Sequence, residues 1–577
     1  MQFPISRLEE TREEDTAIAR QAHQDNARNI RMMKMRPYQE GAVQGAFRAW
    51  EDNASTLIVL PTGLGKTVVF SEIIRRHIVT KGTGVMVLAH REELIFQAAD
   101  KIAKVTGITG GIEMGENHAS GWFGSEPPYV VSTVQTQCSG GDGGGRMTKF
   151  DPDNIGLVVI DEAHHATSAS YRRVINYYRQ NAYCKVLGVT ATPDRADEEA
   201  LGKVFDSVAY DYQIMDAIKQ GWLVPVQQQM VTVGSLDFSG IKTTAGELNQ
   251  GELAEVMEAE RNLQGIAEPT VQICGEKRAI VFAATVKQAE RLSEILNRYK
   301  PDRSAWICGK TDKIERRRIL TDFKDGKLQF VVNVGVLTEG FDDSGVEMVV
   351  MARPTKSRAL YAQMAGRGTR PHDSVAGLLG DCPTDIERRK MIDESVKPYC
   401  TIVDFCGNAG RHKLVSTADI LGGNYEDEVV EAVAKKIREN GGKPVDMAEE
   451  LAAEAKAREE LRKAEAARRA GLTARAQFML TNIDPFNAWD ITPVKERGWD
   501  KGKRFSAKQE MILMQRIGVD PAKIPYGQGK QLLDEYFRRL QGNYATIRQT
   551  ATLNRMGIRA PMRFDETKRL FDRRFNH

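Results

Sequence analysis

An apolar stretch, Thr56–Leu60, runs directly into Pro61, Thr62, Gly63, Leu64, Gly65, Lys66 and Thr67, and a helical pattern begins at once behind it. Few patterns constrain a fold more tightly. Glycines at two turn positions let successive backbone amides converge at a helix amino terminus, which is where a phosphate chain is held. A lysine next in line reaches the β and γ phosphates, and the threonine hydroxyl is a ligand for the accompanying Mg²⁺. The general P-loop spacing has glycine where Leu60 stands, so the match is one residue short. With strand and helix on either side, ATP with Mg²⁺ is the expected ligand of Pro61 to Thr67.

A second apolar stretch, Leu157–Ile160, ends in Asp161, Glu162, Ala163 and His164. Two adjacent carboxylates at a strand end place Asp161 at the carboxyl edge of a parallel sheet, where it can hold Mg²⁺ through water. Glu162 is then placed to orient and deprotonate the attacking water. ATP hydrolysis is the expected chemistry.

Around these two segments, short apolar runs alternate with helical stretches: Val85–Ala89, Tyr129–Val131 and Lys185–Thr190. That alternation marks βαβ units and a parallel sheet buried on both faces. A second series repeats it with Ala279–Ala283, a helix over Lys287–Tyr299, then Ser304–Ile307, Gln329–Val334 and Val346–Met351. Tyr399–Phe405 is expected to close the second sheet. The fold class is α/β, with two tandem parallel-sheet domains over 36–225 and 261–420. A helical arm (1–35), a weakly patterned glycine-bearing connector (226–260), a charged helical linker (421–480) and a basic helical repeat domain (481–577) complete the expectation. Gly441, Gly442 and Pro444 divide the linker into two solvated helices, and Gly140–Arg146 is a loop.

At 577 residues the chain exceeds what one compact core accommodates. Its formal charge of +3 is unevenly spread, since Lys501–His577 alone carries about +10 and the remainder about −7. A polyanionic partner at the carboxyl end follows. No apolar run reaches the ~18 to 20 residues of a membrane span, and the acidic amino terminus lacks the pattern of a signal peptide. Seven scattered cysteines fit a reducing interior, so a cytoplasmic setting, or one inside an infected host, is expected. Cys382, Cys400 and Cys406, with His372 and His412 nearby, show no C-x-x-C spacing and read as ordinary thiols rather than metal ligands.

Thr62–Thr67 (TGLGKT), Asp161–His164 (DEAH), Thr190–Thr192 (TAT), Thr338–Asp342 (TEGFD) and Gln363–Arg370 (QMAGRGTR) occur in the order found in superfamily 2 helicases, which the chain resembles from about Arg36 to Asp419. In that family the glycine loop commonly starts with a residue other than glycine. The resemblance implies two RecA-like domains with ATP between them and nucleic acid across their top. By the same resemblance, the ATP-binding segment from Arg36 to Gln39 reads adenine through Gln39, while Arg91, Thr133, Thr285 and Thr338 contact the nucleic-acid backbone. His164, Thr190 and Thr192 couple hydrolysis to domain movement, and Gly340 and Asp342 face the ribose and the cleft. Arg367 and Arg370 resemble arginine fingers, and Gln363 helps to orient water or the γ phosphate. Met364 stands where the longer form QRxGRxGR has arginine, and the GFD and QMAGRGTR forms look closer to DNA-directed members, especially RadD-like and phage-encoded helicases. The implied function is an ATP-dependent helicase or translocase on DNA rather than RNA, with a DNA-repair or replication protein as a possible partner. An RNA helicase, a translocating subunit of a restriction or defence complex, and an ATP-gated clamp remain the alternatives.

Near the carboxyl end the sequence repeats itself. Ser506–Val519 resembles Ala545–Ile558 with a one-residue slip, and Lys530–Phe537 matches Lys568–Phe575. Each unit reads as helix, glycine turn, helix. Lysines and arginines among Phe505, Tyr536 and Phe537 suit phosphate contact and base stacking, and docking on the acidic body of the chain is the competing reading.

Overall fold

A computed structural model describes residues 35–90, 92–119, 127–140, 145–191, 195–244, 247–338, 341–408, 414–422, 425–473, 484–558 and 562–575. The expected arm before residue 35 and the centre of the Gly140–Arg146 loop lie outside them. The first sheet holds β1 (Ser55–Val59), β2 (Gly84–Ala89), β3 (Gly111–Glu113), β4 (Tyr129–Thr133), β5 (Ile155–Asp161), β6 (Lys185–Thr190) and β7 (Ser207–Asp211). Their order is β3-β4-β2-β5-β6-β1-β7, with every pairing parallel. Valine, leucine and isoleucine fill β1, β2 and β5 because helices cover both faces, so these strands read as apolar runs rather than alternating ones. All carboxyl edges therefore lie along one rim, and β1 and β5 deliver the glycine loop and the carboxylate pair to it.

The second sheet is built on β8 (Val226–Asp237), β11 (Ala279–Ala283), β12 (Ser304–Cys308), β13 (Phe330–Val334), β14 (Met348–Ala352), β15 (Cys400–Asn408) and β16 (Val445–Asp446). A two-stranded ribbon of β9 (Thr243–Thr244) and β10 (Glu247–Leu248) intervenes in the chain. The order is β12-β13-β11-β14-β15-β8-β16, parallel except where β16 runs antiparallel to β8. The two parallel-dominated sheets with their covering helices are the tandem RecA-like arrangement.

Three expectations need correction. The stretch 226–260 is no connector: β8 is a strand of the second sheet, and Leu236, Phe238, Ile241, Leu253 and Met257 are buried in its core. Next, β15 does not close the sheet, because β8 and β16 lie beyond it. Finally, the charged linker does break at Gly441 and Gly442, both with positive φ, into helices Asp427–Glu439 and Met447–Thr473. Its expected solvated character fails, however, for Val433, Ile437, Met447 and Leu451, each at most 1% exposed.

The chain divides into two compact units. One contains both sheets; the other gathers residues 195–202, 424–429 and 453–577. In the second unit the sequence repeat becomes a structural one. Helices Ala507–Ile512 and Ile547–Arg555 begin with the same capping box, Ser506 with Gln509 and Thr546 with Gln549. Each first helix is followed by a positive-φ glycine, Gly518 or Gly557, before the second helices Tyr526–Gln541 and Phe564–Phe575. Leu513, Ile517, Leu532, Leu533 and Ile547 come from both repeats into one core with Trp489. A capping side chain stabilises by about 1 kcal/mol and a fully buried leucine by about 2. The caps thus set where the helices begin, and the shared core holds the pair together. No helix among the described residues is long and apolar enough to cross a membrane.

Candidate nucleotide site

Behind β1 the chain turns through Gly63 at φ 92° and Gly65 at φ 79°, and helix Lys66–Lys81 starts immediately. Both values lie in the left-handed region that glycine adopts without strain. A Cβ on Gly65 would also come within 2.8 Å of Gln39 Nε2, so a side chain there would have to displace the Gln39 amide from the Leu64 carbonyl. The loop is braced by helix Pro37–Asp52. Tyr38 Oη and Gln39 Nε2 both donate to the Leu64 carbonyl at 3.1 Å, while Gln39 Oε1 accepts from the Arg36 amide at 3.0 Å. Arg36 donates to the Ala376 carbonyl at 3.0 Å and lies over the Trp222 ring. Arg36 and Gln39 therefore hold the glycine loop and its surroundings in shape, with the Gln39 amide committed to backbone at both ends.

Across the loop, Lys66 Nζ lies 3.0 Å from Glu162 Oε1, with 14% and 13% of the two side chains exposed. The other carboxylate oxygen, Oε2, is buried without a hydrogen bond; His164 Nδ1 stands 3.6 Å from it. Burial works to raise the Glu162 pKa, but Lys66, then His164 and Arg367, outweigh it and hold the carboxyl below its ordinary range. Glu162 itself sits at φ 50°, an uncommon conformation for a residue with a side chain, at the corner between β5 and the turn Ala163–Thr167. Because β5 pairs with β6, His164 meets Thr190, Nδ1 to Oγ1 at 3.3 Å. The structure thus brings together two of the three residues expected to couple hydrolysis to movement; Thr192 lies outside the described residues.

A cavity of about 430 Å³ opens beside the loop, lined by Lys66, Thr67, Asp161 and Glu162 from the first sheet domain and by Asp342, Arg367 and Arg370 from the second. Arg367 Nη2 donates to the Thr338 carbonyl at 2.6 Å and Nη1 to the Phe341 carbonyl. Arg370 pairs with Asp342, and its Cγ lies 3.0 Å from where a Cβ on Gly63 would stand. Burial, with Arg36 adding to it against the pull of Asp373, lowers the Arg370 pKa from its ordinary value. Gln363 is not brought in: it is 6% exposed on helix Arg358–Ala365 and does not line the cavity. Both arginines follow that helix, on the segment that reaches the glycine loop.

Two family models divide this region as the two sheets do. "Type III restriction enzyme, res subunit" matches residues 32–195, and "Helicase conserved C-terminal domain" matches residues 268–372. The two matches support a superfamily 2 helicase. A Saccharomyces cerevisiae protein named "Putative ATP-dependent helicase IRC3" is 29% identical over 409 residues, 68% of this chain and 54% of its own length. "DNA 3'-5' translocase XPB2" of Sulfurisphaera tokodaii is 26% identical over 60% of this chain and 81% of its own. Among solved structures, the fragment of an HsdR subunit, termed putative, of a type I restriction enzyme from Vibrio vulnificus aligns with TM-score 0.48 and 21% identity, covering 67% of this chain and 66% of that one. The chain spans little more than half the length of the yeast relative.

The threonines expected to touch nucleic acid each have a local hydrogen-bonding duty. Thr133, 3% exposed, caps helix Val134–Cys138 by accepting from the Thr136 amide at 3.0 Å. Thr285 caps helix Val286–Tyr299 in the same way and donates to Glu258 at 2.6 Å. The Thr338 hydroxyl donates to the Gly335 carbonyl, and its own carbonyl receives Arg367. Each hydroxyl is consumed locally, a competition that favours helix starts and turns. Arg91 and Gly340 lie outside the described residues.

Some cavity residues have no motif to announce them. Lys101, on helix Glu92–Thr106, lines the same space. Burial and Arg370 lower its pKa, Asp161 opposes them, and Arg367 adds to the lowering. Only the tertiary approach of that helix to the cavity reveals it.

Proposed function

We propose that the chain is an ATP-driven motor on nucleic acid, DNA rather than RNA, hydrolysing MgATP in the cavity between its two sheet domains. One observation carries this reading: Lys66 and Glu162 face Arg367 and Arg370 across a single cavity. The residues fit the substrate. Gly63 and Gly65 turn the loop at positive φ ahead of the helix amino terminus, and Glu162 keeps a buried oxygen with no hydrogen bond. Lys66 would exchange Glu162 for the phosphate chain, and Thr67 and Asp161 would hold the Mg²⁺ that arrives with ATP. Glu162, released from Lys66, would orient the attacking water and take its proton. Arg367 and Arg370 would neutralise charge on the transferring phosphoryl group. His164, between Glu162 and Thr190, would pass the change to β6.

The preference for DNA rests on relatives named for DNA translocation and DNA helicase activity, such as the Sulfurisphaera and haloarchaeal proteins. Kinship to RadD-like helicases, a repair or replication protein as partner, and a cytoplasmic setting belong to the same proposal. A second reading, translocation without strand separation inside a restriction complex, is favoured by the first family model. Phosphate release in the presence of single-stranded DNA, duplex DNA or RNA separates these choices. Single strands should stimulate most; stimulation by RNA alone would overturn the DNA assignment, and stimulation by duplex alone would favour the second reading.

The basic helical repeats are proposed as an accessory grip on phosphates. Arg539 takes no part in it: it is 8% exposed and donates to Glu535 and the Ala545 carbonyl. Lys508 and Arg548 are both exposed and occupy equivalent positions in the two capping boxes. Neutralising them together with Arg516 and Arg569 should make the slope of log affinity against log salt shallower, by about 0.7 for each phosphate contact to a single strand. An unchanged slope would remove the grip.

A further inference from the structure

Helix Arg195–Leu201 begins five residues after Thr190, yet it packs with the carboxyl-terminal residues rather than with the sheet domain on either side of it in sequence. What fastens it is a buried ion pair. Glu198 is 4% exposed; its Oε1 accepts from Arg497 Nε at 2.7 Å and Nη2 at 2.6 Å, and its Oε2 accepts from the Gly498 amide at 2.5 Å. The Arg497 guanidinium lies 4.6 Å from the centre of the Trp499 ring. Gly202 packs so closely that a Cβ there would stand 2.9 Å from the Trp499 backbone. An exposed pair, Glu199 with Lys501 at 2.7 Å, lies alongside.

The same unit holds the segment that leaves the second sheet domain. Glu428 pairs with Arg458 at 2.8 Å, Glu426 with Arg462, and Asp427 with Lys495. These pairs are largely exposed and contribute little each. Glu198 differs, because removing its partner would leave a charge buried without compensation. The helix it anchors lies between two sensitive strands. Upstream, β6 ends at Thr190, which holds His164 beside Glu162. Downstream, Asp206 accepts from the Ser55 amide at 2.9 Å, and β7 pairs with β1, the strand that delivers the glycine loop.

We propose that Glu198 and Arg497 are positioning residues for the motor reaction: their clasp ties the helix behind Thr190 to the carboxyl-terminal unit, so that the state of that unit sets the response of hydrolysis to nucleic acid. The inference rests on the motor reading above. Neither residue touches the nucleotide cavity, so the clasp acts on coupling and not on the chemistry itself.

The test is phosphate release by the full chain with and without single-stranded DNA, for the parent, Glu198→Gln, Arg497→Ala, Arg497→Lys and the wedge variant Gly202→Ala. Glu198→Gln keeps shape and an acceptor for Gly498 while removing the charge. In Glu198→Gln, Arg497→Ala and Gly202→Ala, stimulation should fall by about five-fold or more, with the unstimulated rate and the KM for ATP within about two-fold of the parent. Combining Glu198→Gln with Arg497→Ala should add nothing further, and Arg497→Lys should recover part of the stimulation. A clasp with a structural role only would lower thermal stability and leave the stimulation ratio unchanged, which overturns the inference. A parent chain indifferent to every nucleic acid would instead overturn the motor reading, and the inference with it.

Discussion

Glu162→Gln should slow ATP turnover by about 10²- to 10⁴-fold, the range expected when a general base is lost. Binding should survive, because the substitution keeps the side chain's size at the corner after β5. It also removes the charge that holds Lys66 at 3.0 Å, leaving the lysine for the phosphate chain. Nucleotide affinity should therefore be equal to or tighter than the parent's. Single-turnover phosphate release and equilibrium nucleotide binding, measured side by side, check both halves. Hydrolysis at the parent rate would show that Glu162 does not activate water.

Arg367→Ala and Arg370→Ala should each lower turnover by about 10³-fold or more, as for arginines delivered to a transferring phosphoryl group. The two should differ in a second respect. Arg367 spans two backbone carbonyls with a planar fork, so Arg367→Lys should not restore activity. Arg370 pairs with Asp342 and packs against Gly63, so Arg370→Ala should also disturb the glycine loop and raise the KM for ATP. Full activity in either alanine variant would separate the second sheet domain from the chemistry.

The sequence made β1, β2, β4, β5 and β6 legible because they are apolar runs buried on both faces, and β1 and β5 end in residues whose spacing serves one chemistry; the partly buried edge strands β3 and β7 carry no such run. The same logic recovered β11 to β14. It missed β8, whose glutamines at 227, 228 and 229 interrupt the apolar pattern; Gln228 is buried all the same, donating to Asp404. A polar residue with an internal partner looks like loop in one dimension. The charged segment after residue 421 misled for a related reason: Val433 and Ile437 in one helix, and Met447 and Leu451 in the next, stand at helical spacing beneath a dominant count of lysine and glutamate. At the site, local order in sequence fixed Lys66, Asp161, Glu162 and His164, since each follows directly from a strand end. The residues assigned by resemblance alone have local duties that no motif announces. Thr133 and Thr285 are helix caps, Gln363 is buried outside the cavity, and Gln39 braces Leu64. Lys101 and the Glu198–Arg497 pair depend on contacts far apart in the chain, and no spacing rule reaches them.

ATP-driven movement along a strand is tested most directly by streptavidin displacement from end-biotinylated single-stranded DNA. The full chain, given MgATP, should strip streptavidin from one end of the strand faster than from the other, and Lys66→Ala and Glu162→Gln should fail to do so. Hydrolysis of ATP on the same DNA with no displacement from either end would contradict a motor and leave an ATP-gated clamp.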